Sequence, residues 1–137
     1  NMLKIKNYSV VYWVMLLFFV SCQENFDHRL KREAQTYTQN NCPQEVEQGL
    51  WLDSLTYDIA SRTYTSFYTA NATNEQVLRK QNPLLHNLLL QRLVNNTDYK
   101  DVKAQGVTFG YVYRSETTKN VFYQTKIEST EYTTLIK

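Results

Sequence analysis

Asn82-Pro83-Leu84-Leu85-His86-Asn87-Leu88-Leu89-Leu90-Gln91-Arg92-Leu93-Val94 is the most hydrophobic stretch beyond residue 22, and its reading decides the fold. Asn82 as cap and Pro83 at the first helical position start a helix here, since a first-turn residue has no use for the N–H that proline lacks. Pro83 also bars one continuous helix running in from Val77 and Leu78. Those two belong to a shorter helix that the capping residues of Asn71-Ala72-Thr73-Asn74 open. Leu85, Leu88, Leu89 and Val94 are expected at the centre of a core in which this helix packs against a sheet.

The sheet is legible on both sides of the helix. Upstream, Trp51, Leu55, Tyr57 and Ile59 alternate with Leu52, Ser54, Thr56 and Asp58, a period of two that marks a strand. After Ala60-Ser61-Arg62, residues 63–69 read Thr-Tyr-Thr-Ser-Phe-Tyr-Thr, dense in β-branched and aromatic side chains. Downstream, Val107, Phe109, Tyr111 and Tyr113 alternate against Thr108, Gly110 and Val112, a polar loop spans 115–120, and Val121 to Ile127 returns. Gly106 and Gly110 flank or interrupt this strand, where a bulge or close backbone contact would explain them. Ahead of the first hairpin, Phe26, Leu30, Ala34 and Tyr37 form one apolar stripe of a helix that Asn41-Cys42-Pro43 stops. Helix, hairpin, helix, hairpin predicts an α+β fold: a four-stranded antiparallel sheet with helices packed on one face.

The amino-terminal end carries a different signal. Lys4 and Lys6 precede an unbroken apolar run from Val10 to Val20, closed by Ser21-Cys22. Eleven residues are too few for a comfortable membrane-spanning helix, which needs about 20, but they match the core of a signal peptide. Phe19-Val20-Ser21-Cys22 resembles a bacterial lipobox, with Phe19 standing where leucine is usual. The resemblance implies that the Cys22 thiol is acylated, with palmitate among the expected chains, and that cleavage before Cys22 makes it the first residue of the mature protein. Residues 1–21 are then a lipoprotein signal peptide, 22–42 a lipid tether and amino-terminal helix, and 43–137 a single α+β domain.

Removing 21 of 137 residues leaves 116, enough for one domain. The net charge of +2 comes from Lys4 and Lys6; the remaining 13 basic and 13 acidic residues balance. Such a chain has no field for nucleic acid, and none is expected as a partner. With Cys22 acylated, Cys42 is the one remaining cysteine, so no internal disulfide forms. One cysteine and two distant histidines make no zinc site, and no metal or cofactor is expected. Phosphate loops, calcium loops and metal-helix motifs are absent from the sequence.

The chemistry-bearing residues are sparse. His28 lies among Asp27, Arg29 and Lys31, as on a solvated helix face. Cys42, beside Pro43, reads as a small buried hydrophobe. His86 could act as a base only with an orienting partner, and an envelope hydrolase or thiol enzyme using Cys42 and His86 is the alternative function. Asp53 shares the predicted face of Trp51 and reads as a charge that blocks edge pairing, or as a site residue. Tyr57, Tyr64, Tyr68, Tyr111, Tyr113 and Tyr123 are too numerous to fit under two helices, so some are expected on the sheet face away from them. There they would capture a protein, peptide or glycan, or join two copies in a homodimer.

With the lipobox, Asn41-Cys42-Pro43 before a strand and the Gly106 to Tyr113 strand opening a last hairpin, the chain resembles small Bacteroidetes-type envelope lipoproteins. The helix on an antiparallel sheet also resembles the cystatin arrangement. Together these imply a lipid-anchored protein of the inner or outer membrane of a bacterial cell envelope. It acts there as a non-enzymatic binding module.

Overall fold

The structure, a computed structural model, describes residues 26–135. Cys22, the lipobox and the apolar run lie outside the described residues. Helix α1 covers 26–41. It is followed by β1 Gln44–Glu47, β2 Leu50–Asp58, β3 Thr63–Ala70, α2 Ala72–Lys80 and α3 Asn82–Asn95. A short 3₁₀ turn at Thr97–Tyr99 then leads to α4 Lys100–Ala104, β4 Thr108–Ser115, β5 Val121–Ile127 and α5 Ser129–Thr133.

The fold is α+β, and its sheet has five strands in the order β1-β2-β3-β4-β5. That corrects the expected four-stranded antiparallel, cystatin-like sheet in two ways. Gln44–Glu47 adds an exposed edge strand, and β3 pairs with β4 in parallel, Thr63 beside Thr108 through Ala70 beside Ser115. Parallel neighbours need a long crossover, and the chain from α2 to α4 supplies it. The predicted hairpins are both present, but their inner strands meet side by side rather than turning back on one another.

Alternation sorts the side chains. Leu50 and Leu52 face the helices, the register shifts between Leu52 and Ser54, and Leu55 and Tyr57 then face the same way. This bulge at Asp53 is what moves Trp51, read in one row with Leu55 and Tyr57, to the other side. An extra residue in one strand resets which side chains point inward. In the parallel register Tyr64, Ser66 and Tyr68 stand beside Phe109, Tyr111 and Tyr113, and Ile127, Thr125 and Tyr123 of β5 continue the row.

The core gathers on this one face. Leu85, Leu89 and Leu93 of α3 are buried, 4%, 4% and 3% exposed, whereas Leu88 is 43% exposed and Val94 only partly buried. The expected Leu85–Leu88–Leu89–Val94 set is therefore corrected to the i, i+4, i+8 stripe. Leu30 and Ala34 of α1 join the same core, so the packed unit reaches back into the segment read as a tether. Thr38 ties α1 to the sheet: its Oγ1 accepts from the Leu55 N–H at 2.9 Å and lies 3.0 Å from the Leu55 carbonyl. It thereby satisfies backbone groups of β2 beyond the reach of the four-residue β1. At the other end Tyr132 of α5, fully buried, donates to the Val107 carbonyl at 2.7 Å.

Candidate binding cleft

The residues that make strands also make a cleft. Tyr64 and Tyr68 on β3, four residues apart, and Tyr111 and Tyr113 on β4, two apart, share one face, and the parallel register aligns them on the helix side of the sheet. Tyr68 and Tyr113 stack with ring centres 4.9 Å apart and planes 13° from parallel. Tyr64 meets Tyr99 and Phe109 edge-on at 5.8 and 6.1 Å. These rings are the floor of a cavity of about 260 Å³, walled by Leu89, Arg92 and Leu93 of α3 and by Val46 and Glu47 of β1. A second cavity of about 180 Å³ shares Glu47, Leu50, Leu89, Arg92 and Tyr113 with it and continues past Val77, Leu85 and Leu88. Together they form one groove between β1 and the α2–α3 pair.

Its chemistry is aromatic and nearly uncharged. Glu47 and Arg92 are the charged side chains among the described residues lining it. Burial first, and the neighbouring phenols second, push the Tyr64, Tyr111 and Tyr113 hydroxyls far above their ordinary range. Burial also raises Tyr68 and Tyr99. The floor therefore stays neutral and keeps its O–H donors across the physiological range. Val46, Val77 and Leu88, 44%, 46% and 43% exposed, leave apolar surface at the rim.

The β1 rim is held by a small staple. Gly49 has φ +79°, and a Cβ there would collide with the Asn71 side-chain nitrogen and sit 2.5 Å from Asn71 Cγ. Only glycine both takes this conformation and lets Asn71 approach. The Asn71 N–H then donates to the Gly49 carbonyl at 2.9 Å. Asn71 Oδ1 caps α2 by accepting from the Asn74 N–H, and Asn74 Nδ2 donates to the Gln48 carbonyl at 2.8 Å. The β1–β2 turn is thereby locked to the start of α2.

The tyrosines expected on the face away from the helices are on the face beneath them. Helix contacts converge there: Tyr57 Oη donates to Asp27 at 2.6 Å, and Thr125 contacts His86. The opposite face shows Trp51, Phe67 and Val112, half-buried, among Thr56, Thr65 and Thr69. Asp53 lies on the bulge and accepts from the Thr69 hydroxyl.

Cys42 and His86 are not brought together. Cys42 is half-buried, with its thiol raised by burial and then by the Asp53 charge, opposite to what a nucleophile needs. His86 has both ring nitrogens engaged: Nδ1 is 2.6 Å from Thr125 Oγ1 and Nε2 is 2.7 Å from Glu131 Oε1. Burial raises the Glu131 carboxyl, but the His86 bond, the Glu128 N–H and the His86 charge outweigh it and leave the carboxyl below its usual range. The ionised carboxylate only accepts, so Nε2–H donates to it. Neither cavity of the groove reaches this trio; it clamps α3, β5 and α5 together. His28 is exposed on α1.

Sequence reasoning missed the buried Lys103 and the buried Tyr132. Lys103 Nζ lies 2.8, 3.3 and 2.8 Å from the carbonyls of Leu93, Val94 and Asn96, so its three donors satisfy the end of α3. A Lys ten residues past the leucine stripe carries no periodic signal. Glu128 and Glu131, by contrast, do spell the capping box that starts α5. Among the described residues no group of three or more His, Cys, Asp and Glu could hold a metal ion. No described helix is long and apolar enough to cross a membrane.

A family model described as a domain of unknown function, DUF8479, matches residues 25–123, from the start of α1 into β5. The chain belongs to this family. No curated protein matches it. Among solved structures it is similar to a Pseudomonas aeruginosa protein described as secreted, with TM-score 0.63 and 13% identity, over 77% of this chain and 95% of that one. It is similar also to EpsS, the pilotin of the Vibrio vulnificus type 2 secretion system, with TM-score 0.62 and 8% identity over 80% and 93%. AspS, the type II secretion system pilotin of Vibrio cholerae, gives TM-score 0.54 and 16% identity over 82% and 97%. At these identities the likeness is one of fold.

Proposed function

We propose that this DUF8479 protein is an envelope protein, anchored through a lipid on Cys22, whose groove holds a mostly apolar segment of a protein partner. The observation that carries the binding site is the continuous groove with its neutral tyrosine floor. The half-buried Tyr68 and Tyr111 offer aromatic contact at low entropic cost, with hydroxyls to satisfy a backbone. The exposed Val46, Val77 and Leu88 at the rim are the surface such a segment would cover. The shared fold with two secretion-system pilotins supports an envelope interaction module over an enzyme, although fold alone assigns no activity. The separation of Cys42 from any activating group also counts against the hydrolase alternative. A glycan or a second copy of the chain would compete for the same phenols.

Leu88→Glu and Arg92→Glu lie on the exposed rim, so the fold should survive either. Both should abolish co-purification of a defined partner from envelope extract, with the thermal midpoint unchanged. Partner recovery equal to wild type in both variants would refute the groove as the binding site. A dimer that dissociates on Leu88→Glu would replace the foreign partner with a second copy.

A further inference from the structure

We infer that the short spacer between Cys22 and Phe26 holds the end of the domain bearing the β2–β3 turn against the bilayer, with the groove running away from it. This rests on the reading of Cys22 as the lipid anchor. The first described turn of α1 is fixed in place. Asp27 Oδ1 accepts from Tyr57 Oη at 2.6 Å, and Arg62 Nε lies 3.5 Å from the same oxygen. Leu30, one turn on, is 6% exposed. Phe26 therefore starts beside the turn 59–62, which joins β2 to β3.

Only Gln23, Glu24 and Asn25 separate Cys22 from Phe26. Four Cα steps reach at most roughly 14 Å, whatever conformation they take. Strand β3, Thr63–Ala70, runs about 23 Å from the turn to the far end of the sheet. The spacer is thus shorter than the domain it carries. The Gly49 staple, the start of α2 and the loop 115–120 lie at that far end, and the groove extends toward them past Val77.

The near end suits a surface of lipid phosphates. Arg29, Lys31 and Arg32 are exposed on the first turns of α1. Among the described residues, the acids around them are engaged within the domain: Asp27 with Tyr57 and Arg62, Asp58 with the Ser61 hydroxyl and N–H, and Glu33 with Arg29 at 3.8 Å. Arg32 and Lys31 remain to meet the headgroups, with Lys31 also near Asp58.

The test uses the full, acylated chain in vesicles of phosphatidylethanolamine and phosphatidylglycerol carrying a headgroup spin-label quencher. A fluorophore is placed on a single introduced cysteine, Ala60→Cys in the turn or Thr117→Cys in the far loop, each with Cys42→Ser; both sites are exposed. Quenching should be several-fold stronger at 60 than at 117. A twelve-residue Gly-Ser insertion after Asn25 should erase that difference. Equal quenching at the two sites in acylated protein would overturn the orientation while leaving the anchor intact. If the chain carries no acyl group, or Cys22→Ala floats with vesicles as wild type does, the anchor reading itself fails.

Discussion

The two faces of this one sheet carry the same strands and almost opposite chemistry. Toward the helices stand Leu50, Leu52, Leu55, Tyr57, Tyr64, Phe109, Tyr113 and Ile127, all buried. Away from them stand Thr56, Thr65, Thr69 and Val112, with Trp51 and Phe67 as the large exceptions. Tyrosine content alone pointed to the open face as the binding surface. The structure puts the tyrosines beneath the helices, where Tyr64 and Tyr113 are buried and Tyr68 and Tyr111 stay half-buried under an incomplete layer, so the accessible part of the aromatic surface lies in a groove. A face needs a cover to become a core, and where the cover stops, a site begins.

The contrast is sharpest in stability. Leu89→Ala, in the covering stripe, should lose about 2–5 kcal/mol on urea unfolding, whereas Val112→Thr on the open face should change it by less than about 1 kcal/mol. Similar losses at both would mean that the open face is covered as well. Gly49→Ala comes next, since it forces a left-handed backbone on alanine and displaces Asn71 from its cap. A loss on the order of 2 kcal/mol is expected, together with weakened partner binding through the displaced β1 rim.

How much of this was legible follows from what a sequence encodes locally. The break before Pro83 and the strands read at 63–69 and Val121 to Ile127 were legible to within a residue, because proline geometry and period-two alternation act locally. The cap was not, since α3 starts at Asn82 with Gln81 as its cap and no side-chain cap bond, rather than with Asn82 as cap. Strand partners were not. Nothing in Thr63–Thr69 or Val107–Tyr113 says that they pair in parallel; the crossover geometry decides that. The Asp53 bulge also escaped, since one inserted residue is invisible to a periodic template and turns Trp51 outward. Leu88 shows the limit for the site itself: a leucine in the apolar run counts as core until the structure shows that nothing covers it.

Two smaller effects probe how the cover is fastened. Thr38→Val removes the hydroxyl that serves the Leu55 N–H and carbonyl, and should cost about 1–2 kcal/mol by leaving part-buried backbone groups unpaired. Thr38→Ser should restore most of it; equal losses in both would assign the effect to the methyl group. The His86–Glu131 clamp should contribute less than about 1 kcal/mol, being partly exposed. Glu131 has its carboxyl depressed in the folded state, so its contribution is full above the ordinary glutamate pKa of about 4.3 and is lost as pH falls through the lower folded value. The stability gap between wild type and Glu131→Gln should accordingly hold steady above the ordinary glutamate pKa and close as pH falls below it. A gap that stays constant would remove the carboxylate charge from the account.

The central claim, that the groove and not the open face takes the partner, is tested most directly by photocrosslinking in intact envelopes. A photoreactive side chain replaces Leu88 at the groove rim or Trp51 on the open face. The account predicts one discrete adduct from position 88, removed by Arg92→Glu, and none from position 51. An adduct from 51 with none from 88 would contradict it.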